Sequence, residues 1–291
     1  MILKSNGSLL AAAALFGGVM AVAGAAHATS IGVQFVNASN TNSVALTAAQ
    51  VAGAGSYAQS NWNVASSANQ TSYTDAGGSA AYEGSLSTLT DGTTAATSVG
   101  ANGGSVTFNY SDIHKFFTGY TIGASGDPSN TTTDANAILM SGAVENDTNS
   151  ATKATVLEFG NVAPGSYNVV LYNVWQASNE FQASVNGGAP VDVWEQAGQT
   201  FGAESPNETW VTNPNPSAST DVSNYLVFNN ISPDSNGNIS LAFLKNSSSL
   251  AGSEGVNAIQ LVSTPEPAPL ALLALGGLGL MLLQRKTRMP A

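Results

Sequence analysis

The sequence predicts an all-β protein: an antiparallel β-sandwich of jelly-roll-like arrangement, flanked by an N-terminal signal helix and a C-terminal hydrophobic helix. Three observations predict it. Apolar residues alternate with polar ones in many short runs, the period of a strand with one buried face. Gly, Asn, Asp, Ser and Pro separate the runs, and these are the residues that turns require. Helical periodicity is scarce between the two apolar ends of the chain.

Taken in order, residues 1–28 read as a signal peptide. Lys4 supplies the positive start, Leu9–Ala26 the apolar stretch, and Ala26-His27-Ala28 the small-x-small exit, with cleavage before Thr29. Residues 29–263 form the expected sandwich domain. Its candidate strands are Ile31–Val36, Ser105–Tyr110, Thr155–Phe159, Tyr167–Trp175, Glu180–Val185, Val191–Glu195, Thr209–Thr212, Tyr225–Phe228, Ile239–Leu244 and Val256–Val262. Asn186-Gly187 predicts a hairpin, because both residues tolerate positive φ. Asn236-Gly237 predicts another, and Pro164-Gly165 a turn. Asp112–Phe117 and Asp134–Met140 are the two short helical candidates, each with an Asp at its start. The Ser/Thr/Gly/Ala-rich stretch Gly53–Gly104 reads as long loops over one end.

Composition narrows the function. The chain carries a formal charge of −11, and all but one of its 18 acidic residues fall between Thr29 and Thr264. The same span has three lysines (Lys115, Lys153, Lys245) and no arginine. Such a body repels nucleic acid and anionic lipid. There is no cysteine, so the exported body relies on its core rather than on disulfides. His114 is the one histidine of the body, placed in a loop or at the surface. With His114 the one available base and no nucleophile elbow in the body, Ser-His-Asp chemistry is not expected. Cys/His zinc sites are excluded by composition, and no P-loop or dinucleotide fingerprint occurs. The reading is therefore non-enzymatic. The distant alternative is a carboxylate-pair glycoside hydrolase, for which Glu158, Glu180, Asp192, Glu195, Glu204 and Glu208 lie on or near candidate strands.

Two kinds of binding remain. Sugar recognition uses aromatic rings with polar side chains beside them. Trp175, Trp194 and Trp210 sit in or at the ends of candidate strands and Trp62 in Gln59-Ser-Asn-Trp-Asn63; at least two of the four are expected in the core, Trp175 being the best placed for exposure. No cofactor is expected apart from a structural calcium. Alternating oxygen side chains suit that ion: Asp234, Asn236 and Asn238 form one candidate, Glu145-Asn-Asp147-Thr-Asn149 a second. A polar hairpin turn is the plain reading of the first.

The tail, residues 264–291, carries the most specific signal. Pro265-Glu266-Pro267 is followed by an apolar run, Leu270–Leu283, containing Gly276, Gly277 and Gly279. That run is shorter than the roughly 20 residues of a straight membrane-spanning helix. Arg285, Lys286 and Arg288 follow it at once and act as a membrane stop. In this layout the tail resembles the PEP-CTERM protein-sorting domain of Gram-negative bacteria. The resemblance implies an exosortase and the secretion machinery as processing partners, cleavage near the motif, and release from a transient inner-membrane anchor to the cell surface or matrix. It also implies an association with exopolysaccharide or biofilm. The body segments Leu46–Gly53, Gln59–Asn63, Tyr167–Tyr172 and Val256–Val262 look like those of exported proteins of that group with a galactose-binding-like, carbohydrate-binding-module-like sandwich. Extracellular polysaccharide is thus the expected partner and nucleic acid is not; a purely structural or adhesive matrix protein is the alternative.

Overall fold

The computed structural model describes residues 29–75, 78–118, 134–146, 153–175, 180–197, 210–215, 220–245 and 254–264. The signal segment, the Pro-Glu-Pro motif and the basic stop lie outside them. Contacts separate Thr29–Thr264 as a compact unit of its own.

Seventeen strands are described in that unit: β1 (Ser30–Val36), β2 (Asn63–Ser66), β3 (Thr71–Thr74), β4 (Ala80–Leu86), β5 (Thr107–Ile113), β6 (Lys115–Thr118), β7 (Gly142–Glu145), β8 (Thr155–Gly160), β9 (Tyr167–Tyr172), β10 (Val174–Trp175), β11 (Glu180–Val185), β12 (Val191–Trp194), β13 (Gln196–Ala197), β14 (Tyr225–Ile231), β15 (Ile239–Lys245), β16 (Gly255–Val256) and β17 (Ala258–Ser263). Seven of them form one sheet in the order β12-β11-β15-β8-β5-β4-β3; five form a second, β14-β9-β17-β1-β2. The two pack face to face. One apolar cluster joins Phe108, Leu157, Phe159, Phe181 and Phe243 of the first sheet to Ile31, Val33, Phe35, Val169 and Leu171 of the second. Phe35 crosses the interface, its ring 6.1 Å from Phe108 and 6.3 Å from Tyr110. The β-sandwich expected from the alternation is therefore present.

The two sheets differ in how they are covered. Strands of the seven-stranded sheet alternate, as in β11 with Phe181, Ala183 and Val185 buried and Glu180, Gln182 and Ser184 half-buried. That is the pattern of a sheet with one core face. β1 is buried at every residue and β9 at all but Asn168. Their second face lies under a further apolar cluster of Leu46, Trp62, Ile138, Leu139, Met140, Val170 and Tyr172. The short helix Ala135–Leu139 contributes to that cover. Asp134 caps it, accepting from the backbone N–H of Asn136 and Ala137, so the second helical candidate is present as expected.

Four expectations are corrected. Asp112–Phe117 is not helical: it is the end of β5, a break at His114, and the start of β6. Asp112 has φ 56° beside a register shift between β4 and β5, and this bulge turns the strand as a helix start would have done. Lys153 Nζ holds that bulge through Asp112 at 2.9 Å and Asp75 at 2.7 Å. His114 is half-buried and its N–H donates to the Glu145 carbonyl. The stretch Gly53–Gly104 is not all loop, since β2, β3 and β4 lie within it; side chains this small pack a sheet edge without an apolar signature. Residues 210–212 do not form a strand. Val211 is instead fastened to Asn224, donating its N–H to the Asn224 side chain at 2.9 Å and accepting the Asn224 N–H at 3.0 Å. Finally, the sheets are not wholly antiparallel. β1–β2 and β10–β13 run parallel, and the β1–β2 connection over 37–62 is the long crossover such a pair requires.

Candidate functional site

The half-exposed face of the seven-stranded sheet is built from the residues that alternate away from the core. Ser85 pairs with Asn109, Asn109 with Glu158, and Glu158 with Ser240, so a polar row crosses four strands. Ser240 Oγ donates to Glu158 Oε2 at 2.6 Å. Nearer the β12 edge, Gln182 faces Asp192 and its Nε2 donates to Oδ1 at 2.8 Å. Glu180 faces Trp194. Val193 is buried while Asp192 and Trp194 are half-buried, which settles the face of Trp194: it shares the outer side with the acids. Among the described residues no apolar cluster covers that side.

The other tryptophans are placed differently. Trp62 is buried, donates its indole N–H to the Gln59 carbonyl at 3.1 Å, and meets the Tyr172 ring edge-on at 5.8 Å. It is a core residue. Trp210 is half-buried, packed edge-on against Tyr172 at 5.5 Å and Tyr225 at 5.9 Å. Trp175 belongs to β10, and its side chain lies outside the described residues. Of the two rings among the described residues, Trp194 stands on the polar face described above and Trp210 packs in the other cluster.

The calcium candidate Asp234, Asn236 and Asn238 is a turn that satisfies itself. Asp234 Oδ1 accepts the backbone N–H of Asn236 and of Asn238, each at 2.8 Å, and the Asp234 N–H donates to the Asn238 carbonyl at 2.8 Å. Gly237 takes φ 80° at the bend. Asp234 Oδ1 is thus spent on closing the hairpin. Asp234 and Asn236 line a shallow cleft of about 400 Å³ with Asn102, Pro164 and Pro233. Among the described residues no group of three or more His, Cys, Asp or Glu is arranged to hold a metal ion.

Burial singles out a carboxylate pair instead. Glu195 directly follows β12 and Glu254 directly precedes β16; both are 0 % exposed. The Gly255 N–H donates to Glu195 Oε1 at 3.0 Å, which ties the two segments. Burial pushes the Glu195 carboxyl well above the usual range; the Gly255 hydrogen bond opposes this and the Glu254 charge adds to it. Burial likewise raises Glu254 to about 7, with Lys245 opposing and Glu145 adding. Glu145, also buried, faces Gly255 across β7–β16 and lies 3.3 Å from Lys115 Nζ. Both carboxyls thus hold their protons to higher pH than an exposed glutamate does. Both members are sealed from solvent, which removes them from a reacting substrate.

Of these, sequence reasoning reaches Glu195 through its place at a strand end and Glu145 through the second calcium candidate, whose residues 147–149 lie outside the described residues. Glu204 and Glu208 lie outside them as well. It misses Glu254. The signal that could have found it is a lone acid flanked by an apolar strand, Glu254-Gly-Val-Asn-Ala-Ile, where an exposed position is not on offer.

No protein-family model and no curated protein sequence matches the chain, so the resemblance of the tail rests on its own residues. A solved exo-β-1,3-galactanase from Phanerochaete chrysosporium, in complex with galactose, is similar at 18% identity over 64% of this chain and 42% of that one, with a TM-score of 0.23. This chain thus spans less than half of that enzyme's length. A superposition so poor lends no support to a shared site, and the galactanase's substrate stays with the galactanase.

Proposed function

We propose that this is an exported, exosortase-processed surface or extracellular-matrix protein that engages exopolysaccharide without turning it over. The export and processing steps rest on the two chain ends: the signal-like residues 1–28, and the Pro265-Glu266-Pro267 step with its apolar run and basic stop. The engagement rests on the polar face of the seven-stranded sheet. Glu158, Glu180, Gln182 and Asp192 offer acceptors to sugar hydroxyls, and Trp194 offers the apolar surface against which a sugar ring packs. A row of polar side chains running across neighbouring strands suits a polymer chain better than a small ligand. The sealed state of Glu195 and Glu254 supports the non-enzymatic reading.

The observation that carries the reading is the place of Trp194 among acids and amides on a face that no apolar cluster of the described residues covers. Its test is affinity electrophoresis of the full chain through gels containing the producing organism's exopolysaccharide. Retardation that saturates, and that falls about 10-fold in Trp194→Ala, a loss on the order of 1.4 kcal/mol, is the expected result. Equal mobility with and without the polysaccharide would instead favour a structural or adhesive matrix protein with no defined ligand.

A further inference from the structure

At the end of the sandwich where β7, β10, β12 and β16 meet, four fully buried side chains leave oxygens without a donor. Asn146 follows β7, Asn173 precedes β10, Glu195 follows β12 and Glu254 precedes β16; all four are 0 % exposed. They are tied into one neighbourhood. The Asn146 N–H donates to the Glu254 carbonyl at 3.2 Å. Gly255 links Glu254 to Glu195. Glu195 bridges to Ser223, whose carbonyl accepts Asn173 Nδ2 at 3.1 Å. Asn146 Oδ1, Asn173 Oδ1, Glu195 Oε2 and both oxygens of Glu254 find no hydrogen-bond partner.

A buried oxygen left unmatched is costly, and more so where it is charged. The donors beside them are committed. Asn146 Nδ2 donates to the carbonyls of Lys153 and Phe243 and to Thr155 Oγ1, Lys115 is drawn to Glu145, and Lys245 acts on Glu254 through its charge, with neither Glu254 oxygen taking a hydrogen bond. What remains is a set of acceptors only: two carboxylates and two amide oxygens. We propose that Glu195, Glu254, Asn146 and Asn173 hold a buried divalent cation, and that the ion is calcium. Two carboxylates balance its double charge, and the amide oxygens add neutral ligands of the same hard type. Calcium accepts six to eight oxygens in irregular geometry, where magnesium demands a near-ideal octahedron. With no cysteine in the chain and no histidine in the set, zinc and copper have none of the donors they prefer. Carboxylates alone do not make the site, consistent with the absence of a three-carboxylate group among the described residues; the amide oxygens complete it. The ion would fasten β7, β12 and β16 together.

The test is calcium titration of the full chain, purified in mild detergent and stripped with chelator, by calorimetry and thermal melting. The expected result is one saturable equivalent per chain, with a midpoint raised by about 5–10 °C at about 100 times Kd. Binding should vanish in Glu195→Gln/Glu254→Gln, a pair of near-isosteric changes that leaves the metal-free protein folded. It should persist in Asp234→Asn. No calcium heat and no shift at millimolar calcium would overturn the proposal. So would binding that survives the double glutamine variant, or that is lost in Asp234→Asn.

Discussion

Glu254 is a carboxyl held where water does not reach, and its titration has a definite sign. An unfolded glutamate loses its proton near pH 4.3; in the fold Glu254 keeps it until about 7. Between those values the native state binds more protons than the unfolded one, so stability falls as pH rises. Glu195 is shifted the same way. The chelator-stripped protein should therefore be most stable near pH 4–5 and lose a few kcal/mol by pH 7.5, on the order of 3 kcal/mol from Glu254. Urea unfolding across that range checks it. Glu254→Gln should flatten the slope, and a wild-type curve that rises with pH would contradict the burial described above. The sequence shows that Glu254 is acidic and flanked by apolar residues; it does not show that β7 and β12 close over it. That information is tertiary, and so the pair went unread while Asp234, acidic in an obvious turn, drew the calcium reading.

At the scale of elements, alternation was informative where one face is solvated. Glu180–Val185 reads as a strand and is one, and Asn186 and Gly187 take φ 50° and 67° at its turn, as the Asn-Gly pair requires. Alternation fails in two settings. β2, β3 and β4, with sequences NVAS, TSYT and AAYEGSL, carry few large aliphatic residues, and their strand character comes from their neighbours. Asp112–Phe117 imitates a capped helix because an Asp at positive φ serves a bulge as readily as a cap. The elements also set how tightly the layers approach. A Cβ built on Gly142 of β7 would stand 2.1 Å from the Phe35 carbonyl oxygen. Since that neighbour is backbone, it cannot rotate away. Gly142→Ala should therefore destabilise the fold by about 3 kcal/mol or more, at the upper end of the usual penalty for overpacking. Thermal or chemical denaturation would show it, and a change below about 0.5 kcal/mol would mean that β7 and β1 part more easily than their packing indicates.

For the molecule as a whole, the two ends of the sandwich domain are joined inside one sheet. β1 pairs with β17 from Ser30↔Val262 to Gln34↔Ala258, and β17 pairs with β9 on its other side. β17 is thus an interior strand, flanked by hydrogen bonds along both edges. A chain ending at Asn257 should fail to fold cooperatively, with loss of near-ultraviolet circular dichroism and rapid proteolysis. A truncated chain that still melted sharply would show that the remaining strands close up without β17. That the first and last runs of the domain are strands was legible from Ile31–Val36 and Val256–Val262; that they lie side by side was not, because pairing across such a sequence separation leaves no local trace.

This closure gives the domain a clock. A ribosome adds residues at about 5–20 per second, so β1 waits many seconds for its partner, and throughout that wait Ile31, Val33 and Phe35 have no finished sheet to enter. The domain is consequently a late folder: threading the chain through a narrow pore in an extended state meets little resistance from it until the closing strand has been made.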